Sequence, residues 1–189
     1  MRHSLDSITG CPIKILHEDE CMLVVDKPPS IPVHPCGRYR LNSITHILEK
    51  ENGFKNLHTL HRLDRLTSGV LMFAKTRERS LVMDELIRNR IVHKQYLCRV
   101  VGEFPDGEVV VDQPVEIYSA KIGVCGVSRD GRDASTIFRK LSYNGKSSVV
   151  LATPKQGRTH QIRVHLQFLG HPIVNDPLYN STVGFDSSP

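Results

Sequence analysis

Residues 70–74, Val70-Leu71-Met72-Phe73-Ala74, are apolar without interruption and follow a small-residue turn, Thr67-Ser68-Gly69. A run this short and this apolar reads as a buried-type strand, expected over residues 69–75. The segment immediately before it is therefore anchored near the core. That segment is His61-Arg62-Leu63-Asp64-Arg65-Leu66, which sets one carboxylate, Asp64, between two guanidinium groups, Arg62 and Arg65. Opposite charge nearby favours the ionised form. Asp64 then reads as a poor general acid and as a candidate nucleophile or charge stabiliser. A loop aspartate commonly does no more than cap a turn or pair with an arginine at the surface. The anchored position distinguishes this one, because catalytic groups often sit on loops held by a rigid frame. Two flanking arginines suit a substrate that carries phosphates.

Other strand patterns lie mostly in adjacent pairs. Pro12-Ile13-Lys14-Ile15-Leu16 alternates, and the acidic turn His17-Glu18-Asp19-Glu20 separates it from Cys21-Met22-Leu23-Val24-Val25. Pro28, Pro29, Pro32 and Pro35 force an extended loop that carries Lys27 and His34. Residues 41–49 read as a short helix. Thr76 is a candidate N-cap for a helix to about residue 90, with Val82/Leu86 and Met83/Ile87/Ile91 as its apolar spacing. Strands are expected over 95–101 and 108–115. The glycine- and charge-rich stretch 119–133 reads as a loop or irregular hairpin. Residues 136–141 and 147–153 form an expected hairpin about Asn144-Gly145. Pro154-Lys155-Gln156-Gly157-Arg158 turns into a helix over 159–169, with Ile162, Leu166 and Leu169 as its core stripe. Gly170 is its C-cap candidate, and Pro172 prevents continuation. Strands outnumber helices, so the expected class is α+β with a mixed, mainly antiparallel sheet. A chain of 189 residues without repeat or linker is expected to form one domain.

Lys and Arg number 25 against 20 Asp and Glu, a formal net charge of +5 that points weakly to an anionic partner. Clustering says more: Arg38, Arg40, Arg62, Arg65, Lys75, Arg77 and Arg79 crowd one half, and Arg129, Arg132, Lys155, Arg158 and Arg163 the other. The 5 cysteines are an odd number without a CxxC pair. A disulfide framework is not expected, and a reduced intracellular compartment is. No apolar run approaches the roughly 20 residues a membrane-spanning helix needs, and the N-terminus lacks the apolar segment of a signal peptide. His160 and His165 fall on different sides of the expected helix, and no cysteine pair accompanies them, so no metal site is expected. The glycines form neither a GxGxxG nor a GxxxxGK[ST] pattern, which gives no support for a nucleotide cofactor.

Two further residues merit attention. Arg163 lies at the edge of the helical apolar stripe, on the side of His160 and Gln167. It either folds over core-facing chemistry or snorkels to solvent. Tyr96, in Lys94-Gln95-Tyr96-Leu97, is an aromatic on a strand whose hydroxyl would ordinarily find a partner.

The stretch His61-Arg62-Leu63-Asp64-Arg65-Leu66-Thr67-Ser68-Gly69 closely resembles the defining motif of the RluA-type pseudouridine synthases. Lys27-Pro28-Pro29-Ser30-Ile31-Pro32-Val33-His34-Pro35 looks like the first motif of that family, and Lys94-Gln95-Tyr96-Leu97 like its tyrosine-bearing strand. Gly157-Arg158-Thr159-His160-Gln161-Ile162-Arg163-Val164-His165-Leu166 looks like its third motif. Gly170-His171-Pro172-Ile173 and Asp176-Pro177-Leu178-Tyr179 follow in order. The match spans roughly residues 13–179, and Ile31-Pro32-Val33-His34-Pro35-Cys36-Gly37-Arg38 is most similar to the eukaryotic branch.

The resemblance implies the pseudouridine synthase fold, with an active-site cleft across the sheet, and isomerisation of specific uridines in RNA to pseudouridine. Asp64 would attack the target uridine, with glycal formation through C1′ the favoured route, and the freed uracil would rejoin its ribose through C5. Arg163 would pair with Asp64 and keep it ionised. Tyr96 would stack on the target base and serve as the candidate base for a ribose proton. Arg62 would fill the gap left by the flipped nucleotide. Arg65, Lys27, His34, Arg38, Arg158 and His160 complete the expected RNA contacts. Base chemistry inside structured RNA requires such extrusion into a pocket, and arginines hold phosphates. No cofactor or metal is implied, since the reaction is an isomerisation. The partner is RNA (tRNA, rRNA or mRNA), with no membrane.

Relatives often carry an S4-type RNA-binding domain, which nothing before Pro12 resembles. RNA selection is then expected to fall to the single catalytic domain, residues 1–189 with its core at about 12–179, or to parts outside this sequence. Relatives also usually continue past Tyr179 with a Leu-His-Ala-like segment. Cys98 stands where a small residue is common and reads as a buried packing thiol. The alternative is a non-catalytic RNA-binding or RNA-folding module on the same fold, against which the Asp64, Tyr96 and Arg163 set argues. A carboxylate-based hydrolase would need a partner acid, and the motifs before Asp176 supply none.

Overall fold

The computed structural model describes residues 12–35, 37, 39–119 and 123–181. It comprises two compact units, Met1–Ile91 and Val92–Pro189. Among the described residues every strand pairing is antiparallel, and the strands form separate sheets rather than a single mixed one.

In the first unit, β1 (Lys14–Glu18), β2 (Met22–Lys27), β3 (His58–Thr59) and β4 (Gly69–Ala74) form a sheet of order β1-β2-β4-β3. The β1–β2 turn is held by Asp19, whose carboxylate accepts the N–H groups of Cys21 and Met22, both at 2.7 Å. Those bonds, with the neighbouring His17, lower its pKa to about 2. Opposed residues in an antiparallel pair share a face. Leu23 lies opposite Phe73 and Val25 opposite Leu71, and all four are fully buried. Helix α1 (Ile44–Asn52) starts at Ser43, whose hydroxyl accepts from His46 N–H, and ends at Gly53 with φ 75°, a left-handed stop that suits glycine. Its first N–H groups reach back to the proline loop, Ile44 to Pro32 O and Thr45 to Val33 O. Helix α2 (Arg77–Arg88) is capped by Thr76 as the sequence implies, through a bond from Arg79 N–H. It packs on β3 and β4. The expected stripe is only partly covered: no α2 residue is fully buried, and Val82 and Ile91 are exposed.

In the second unit, β5 (Tyr96–Val101), β6 (Glu108–Asp112), β9 (Ser135–Tyr143) and β10 (Ser147–Pro154) form a sheet of order β5-β10-β9-β6. Its covered face comprises Cys98, Val100, Val111, Phe138, Val150 and Ala152, packed with Phe104 and with Leu166 of α3 (Gln161–Phe168). Cys98 is a buried packing thiol as expected, and burial pushes its pKa up to about 12. The expected strand over 108–115 is interrupted at Gln113-Pro114, because proline has no N–H for a ladder. Residues beyond it form β7 (Val115–Ser119), which pairs with β8 (Val124–Val127) across the stretch read as an irregular hairpin. Val164 packs into a second cluster with Val115, Cys125, Ala134 and Tyr179. Helix α3 thus serves both layers of this unit. It starts later than the expected residue 159 because His160 is left-handed, at φ 56°. It ends in a Schellman arrangement, with Gly170 N–H on Gln167 O and His171 N–H on Leu166 O.

A polar seam fixes α3 to β9. Gln161 Nε2 donates to Ser135 O and Thr136 Oγ1, both at 3.0 Å. His165 is fully buried, with Nε2 at 2.9 Å from Gln113 O and Nδ1 at 2.9 Å from Thr136 Oγ1. A carbonyl only accepts, so Nε2 carries the proton and Nδ1 accepts from the threonine hydroxyl. Burial lowers the His165 pKa below its ordinary 6.5. The unfolded chain therefore binds this proton more readily than the folded one, and stability rises with pH across that window. The expected outcome is a melting temperature that falls as pH drops below 6.5, with a shallower fall in His165→Gln. Parallel slopes in thermal melts from neutral to mildly acidic pH would contradict this assignment.

Candidate active site

The loop of the first unit that carries Asp64 is built from the β-ladder outward. Past β3 the pairing with β4 continues through side-chain and backbone bonds. Leu60 N–H reaches Met72 O, and Met72 N–H donates to His61 Nε2 at 3.2 Å. Accepting at Nε2 requires a neutral imidazole at that position. Leu63 is buried, and Thr67 N–H bonds back to Asp64 O at 3.0 Å, closing a turn over residues 64–67. Asp64 is half-buried on that turn, Arg62 is exposed, and Arg65 is half-buried with its guanidinium 5.6 Å from the centre of the Tyr39 ring. Gly69, at φ 117°, makes the bend into β4, a conformation L side chains rarely adopt.

Lys27 was expected among the RNA contacts, and the structure turns it the other way. It continues the inward alternation of Leu23 and Val25, opposite Gly69, and it is 0% exposed. Its ammonium donates to Pro28 O at 2.9 Å and Arg65 O at 3.1 Å. Burial lowers its pKa to about 8, although the negative charge of Asp64 acts to raise it. An inward lysine with both bonds on backbone carbonyls fastens the proline loop to the Asp64 turn and is withheld from solvent phosphate. The signal was present in the period-2 pattern of residues 23–27, which places position 27 on the core face.

The second unit carries the other two expected catalytic residues. Tyr96 opens β5 opposite Ala152, half-buried where the core-facing series of Cys98 and Val100 runs out, and its ring packs against that cluster. Arg163 projects from α3 to Asp176 in a bidentate pair, Nε to Oδ2 at 2.6 Å and Nη2 to Oδ1 at 2.9 Å. Its guanidinium lies 4.8 Å from the centre of the Tyr179 ring. Burial would raise the Asp176 pKa. The Arg163 bonds and the N–H groups of Leu178 and Tyr179 outweigh it and hold the carboxyl below its usual value. The Tyr179 hydroxyl oxygen accepts from Cys125 N–H at 2.9 Å and contacts His160 Nδ1 at 2.8 Å, while burial raises the Tyr179 pKa. Asp176 and Tyr179 were quoted only as part of a motif. An Asp-Pro-Leu-Tyr turn after a stopped helix is the signal that could have singled them out.

Of the expected RNA contacts, His34 is exposed, and Arg38 lies outside the described residues. Arg158 donates Nε–H to Asp133 O and its own N–H to Gln161 Oε1. It borders an open cavity of about 370 Å³ with Arg132, Thr159, Glu116 and Asp130.

An RNA pseudouridylate synthase family model matches residues 21–168, a span that contains Asp64, Tyr96 and Arg163. Pseudouridylate synthase RPUSD2 of Mus musculus is 59% identical over 175 residues, covering 93% of this chain and 32% of its own length. The mitochondrial tRNA pseudouridine(32) synthase of Saccharomyces cerevisiae is 46% identical over 178 residues, covering 92% of this chain and 38% of its own length. The chain thus spans about a third of the length of these curated relatives. Human RNA Pseudouridylate Synthase Domain Containing 4 matches the fold with a TM-score of 0.71 at 31% identity, over 88% of this chain and 69% of that one. Human RNA Pseudouridylate Synthase Domain Containing 1 gives a TM-score of 0.78 at 24% identity, over 98% and 76%, a likeness of fold.

Lys27→Met keeps most of the volume but takes the ammonium donor away from two half-buried carbonyls. The expected cost is about 1–3 kcal/mol of stability, the range for one unsatisfied buried group, because half-buried carbonyls still reach water. Denaturant titration checks the magnitude; a loss below about 0.5 kcal/mol would place Lys27 outside the loop's support.

Proposed function

The chain belongs to the RNA pseudouridylate synthase family, and we propose that it is an RNA pseudouridine synthase acting through Asp64. The observation that supports this most directly is the half-buried Asp64 turn at the head of β4, held from behind by Lys27 and His61 within the family-matched span. The reaction isomerises uridine: the N1–C1′ bond breaks, a C5–C1′ bond forms, N1 gains a proton and the C5 proton leaves to water. Asp64 is the attacking carboxylate, and Arg163 supplies the positive charge of the catalytic set. Tyr96 supplies an aromatic face for the base and is the base that takes the ribose C2′ proton as the glycal forms and returns it to C2′ as C5 bonds to C1′. Arg62, exposed beside Asp64, takes the space of the flipped nucleotide. Flipping costs a few kcal/mol, and stacking on an aromatic offsets about 1–3 kcal/mol per base. Arg65, His34, Arg158 and His160 serve the RNA backbone. Lys27 works through the loop it fastens.

The chain acts as a single catalytic domain on RNA inside the cell, and tRNA is the first substrate to test. Two yeast relatives are named for tRNA positions, and one of those names is mitochondrial. None of the described helices is long and apolar enough to cross a membrane.

The full chain is expected to release tritium from tRNA transcripts labelled with 5-³H-uridine. Asp64→Asn is expected to abolish release without moving the melting temperature; release that survives in this variant would overturn the role of Asp64. Transcript affinity is expected to fall steeply with salt, because released counterions drive phosphate contacts. Affinity indifferent to salt in filter-binding titrations would contradict a phosphate-led interface.

A further inference from the structure

Arg163 is held by a carboxylate and an aromatic ring from the segment after α3. A guanidinium on a helix surface has many rotamers, and a helix start without a side-chain cap does little to restrict them. The restriction comes from the segment after α3. Residues 172–174 lie along the edge of β5, with Val101 N–H on Pro172 O and Val174 N–H on Arg99 O. Asp176 N–H bonds to Ile173 O, and Asn180 Nδ2 donates to Ile173 O and Val174 O, which locks the turn that follows. The Asp176 side chain is 3% exposed, and its two oxygens hold the Nε and Nη2 edge of Arg163. The Tyr179 ring supports the guanidinium, and its hydroxyl is tied to Cys125 and His160. The strand that begins at Tyr96 is therefore linked by backbone bonds to the carboxylate that aims Arg163.

We propose that Asp176 and Tyr179 are positioning residues that fix the direction of the Arg163 guanidinium through its Nε/Nη2 edge and its ring contact. The inference rests on the role given to Arg163 above. Bidentate pairing sets the direction of the guanidinium as well as its charge, and the ring restricts rotation about the side chain. Asp176 never touches the reacting uridine. Its contribution passes through Arg163 and belongs to the rate rather than to RNA affinity.

The test uses the full chain with Asp176→Asn, Tyr179→Phe and Tyr179→Leu. Single-turnover tritium release from 5-³H-uridine tRNA transcripts is measured alongside the melting temperature. The Nε–H resonance of Arg163, identified by its loss in Arg163→Lys, is read by NMR. Asp176→Asn is expected to lower the maximal rate about 100-fold, as a slight misplacement of a reacting group does, with half-saturating RNA changed by less than about threefold. Its Nε–H signal is expected to lose protection from exchange. Tyr179→Phe keeps the ring and should retain the rate within about threefold although it loses two hydroxyl contacts, whereas Tyr179→Leu should lose about tenfold. A purely structural role predicts rates that follow melting temperature across all three variants, and that result would overturn the proposal. So would an unchanged Nε–H signal in Asp176→Asn. If the wild-type chain releases no tritium, the proposed function fails, and the Nε–H signal still decides whether Asp176 fixes Arg163.

Discussion

A lysine ammonium with no exposed surface has to find acceptors inside the protein, and in the first unit that requirement organises the chemistry-bearing loop. Burying an uncompensated charge is costly. Lys27 meets the requirement with carbonyls from two otherwise separate segments, the proline loop and the Asp64 turn. The depressed pKa of Lys27 reflects what burial costs the charged form. The same bond that satisfies the lysine also settles where the backbone of Arg65 lies, one residue from the carboxylate. His61 does the corresponding work on the other side by accepting the Met72 N–H. Asp64 is thereby held between two supports, neither of which is itself on the exposed face of the loop.

The second unit reaches the same end with a helix. Helix α3 is apolar toward one layer through Leu166 and toward the other through Val164, and polar between them through Gln161 and His165. Apolar packing is tolerant of sliding; the hydrogen bonds of the seam are not, because a slip would leave buried donors and acceptors unpaired. Helix rotation and register are thus set before Arg163 meets Asp176. In both units a core-facing alternation ends in a polar residue: Leu23, Val25, then Lys27 in β2, and Val100, Cys98, then Tyr96 in β5.

Local signals were readable wherever they depend on near neighbours. Thr76 as an N-cap, Gly170 beyond the end of α3, the hairpin about Asn144-Gly145 and the strand after Gly69 each follow from chemistry within a few residues. The readings that shifted depend on distant partners. Val82 and Ile91 have the right spacing for a buried stripe, but β3 and β4 do not cover them. Proline at 114 ends a strand that hydrophobicity alone would continue into β7. His160 looks like an ordinary first helical residue until its contact with Tyr179, some twenty residues on, is seen with its left-handed backbone.

The sequence by itself determined the class of fold, most element positions and the family, because capping, alternation and motif order are local or collinear properties. It also singled out Asp64 as a candidate, since a carboxylate between two arginines ahead of an apolar strand is unusual at any position. Tertiary structure decided which way the charged groups face. Lys27 turned inward and became a fastener, and Arg163 received Asp176 and Tyr179 as supports. The physical reason is that long charged side chains have little local preference. Their direction follows from where buried acceptors and carboxylates lie, and those come from residues far apart in the chain.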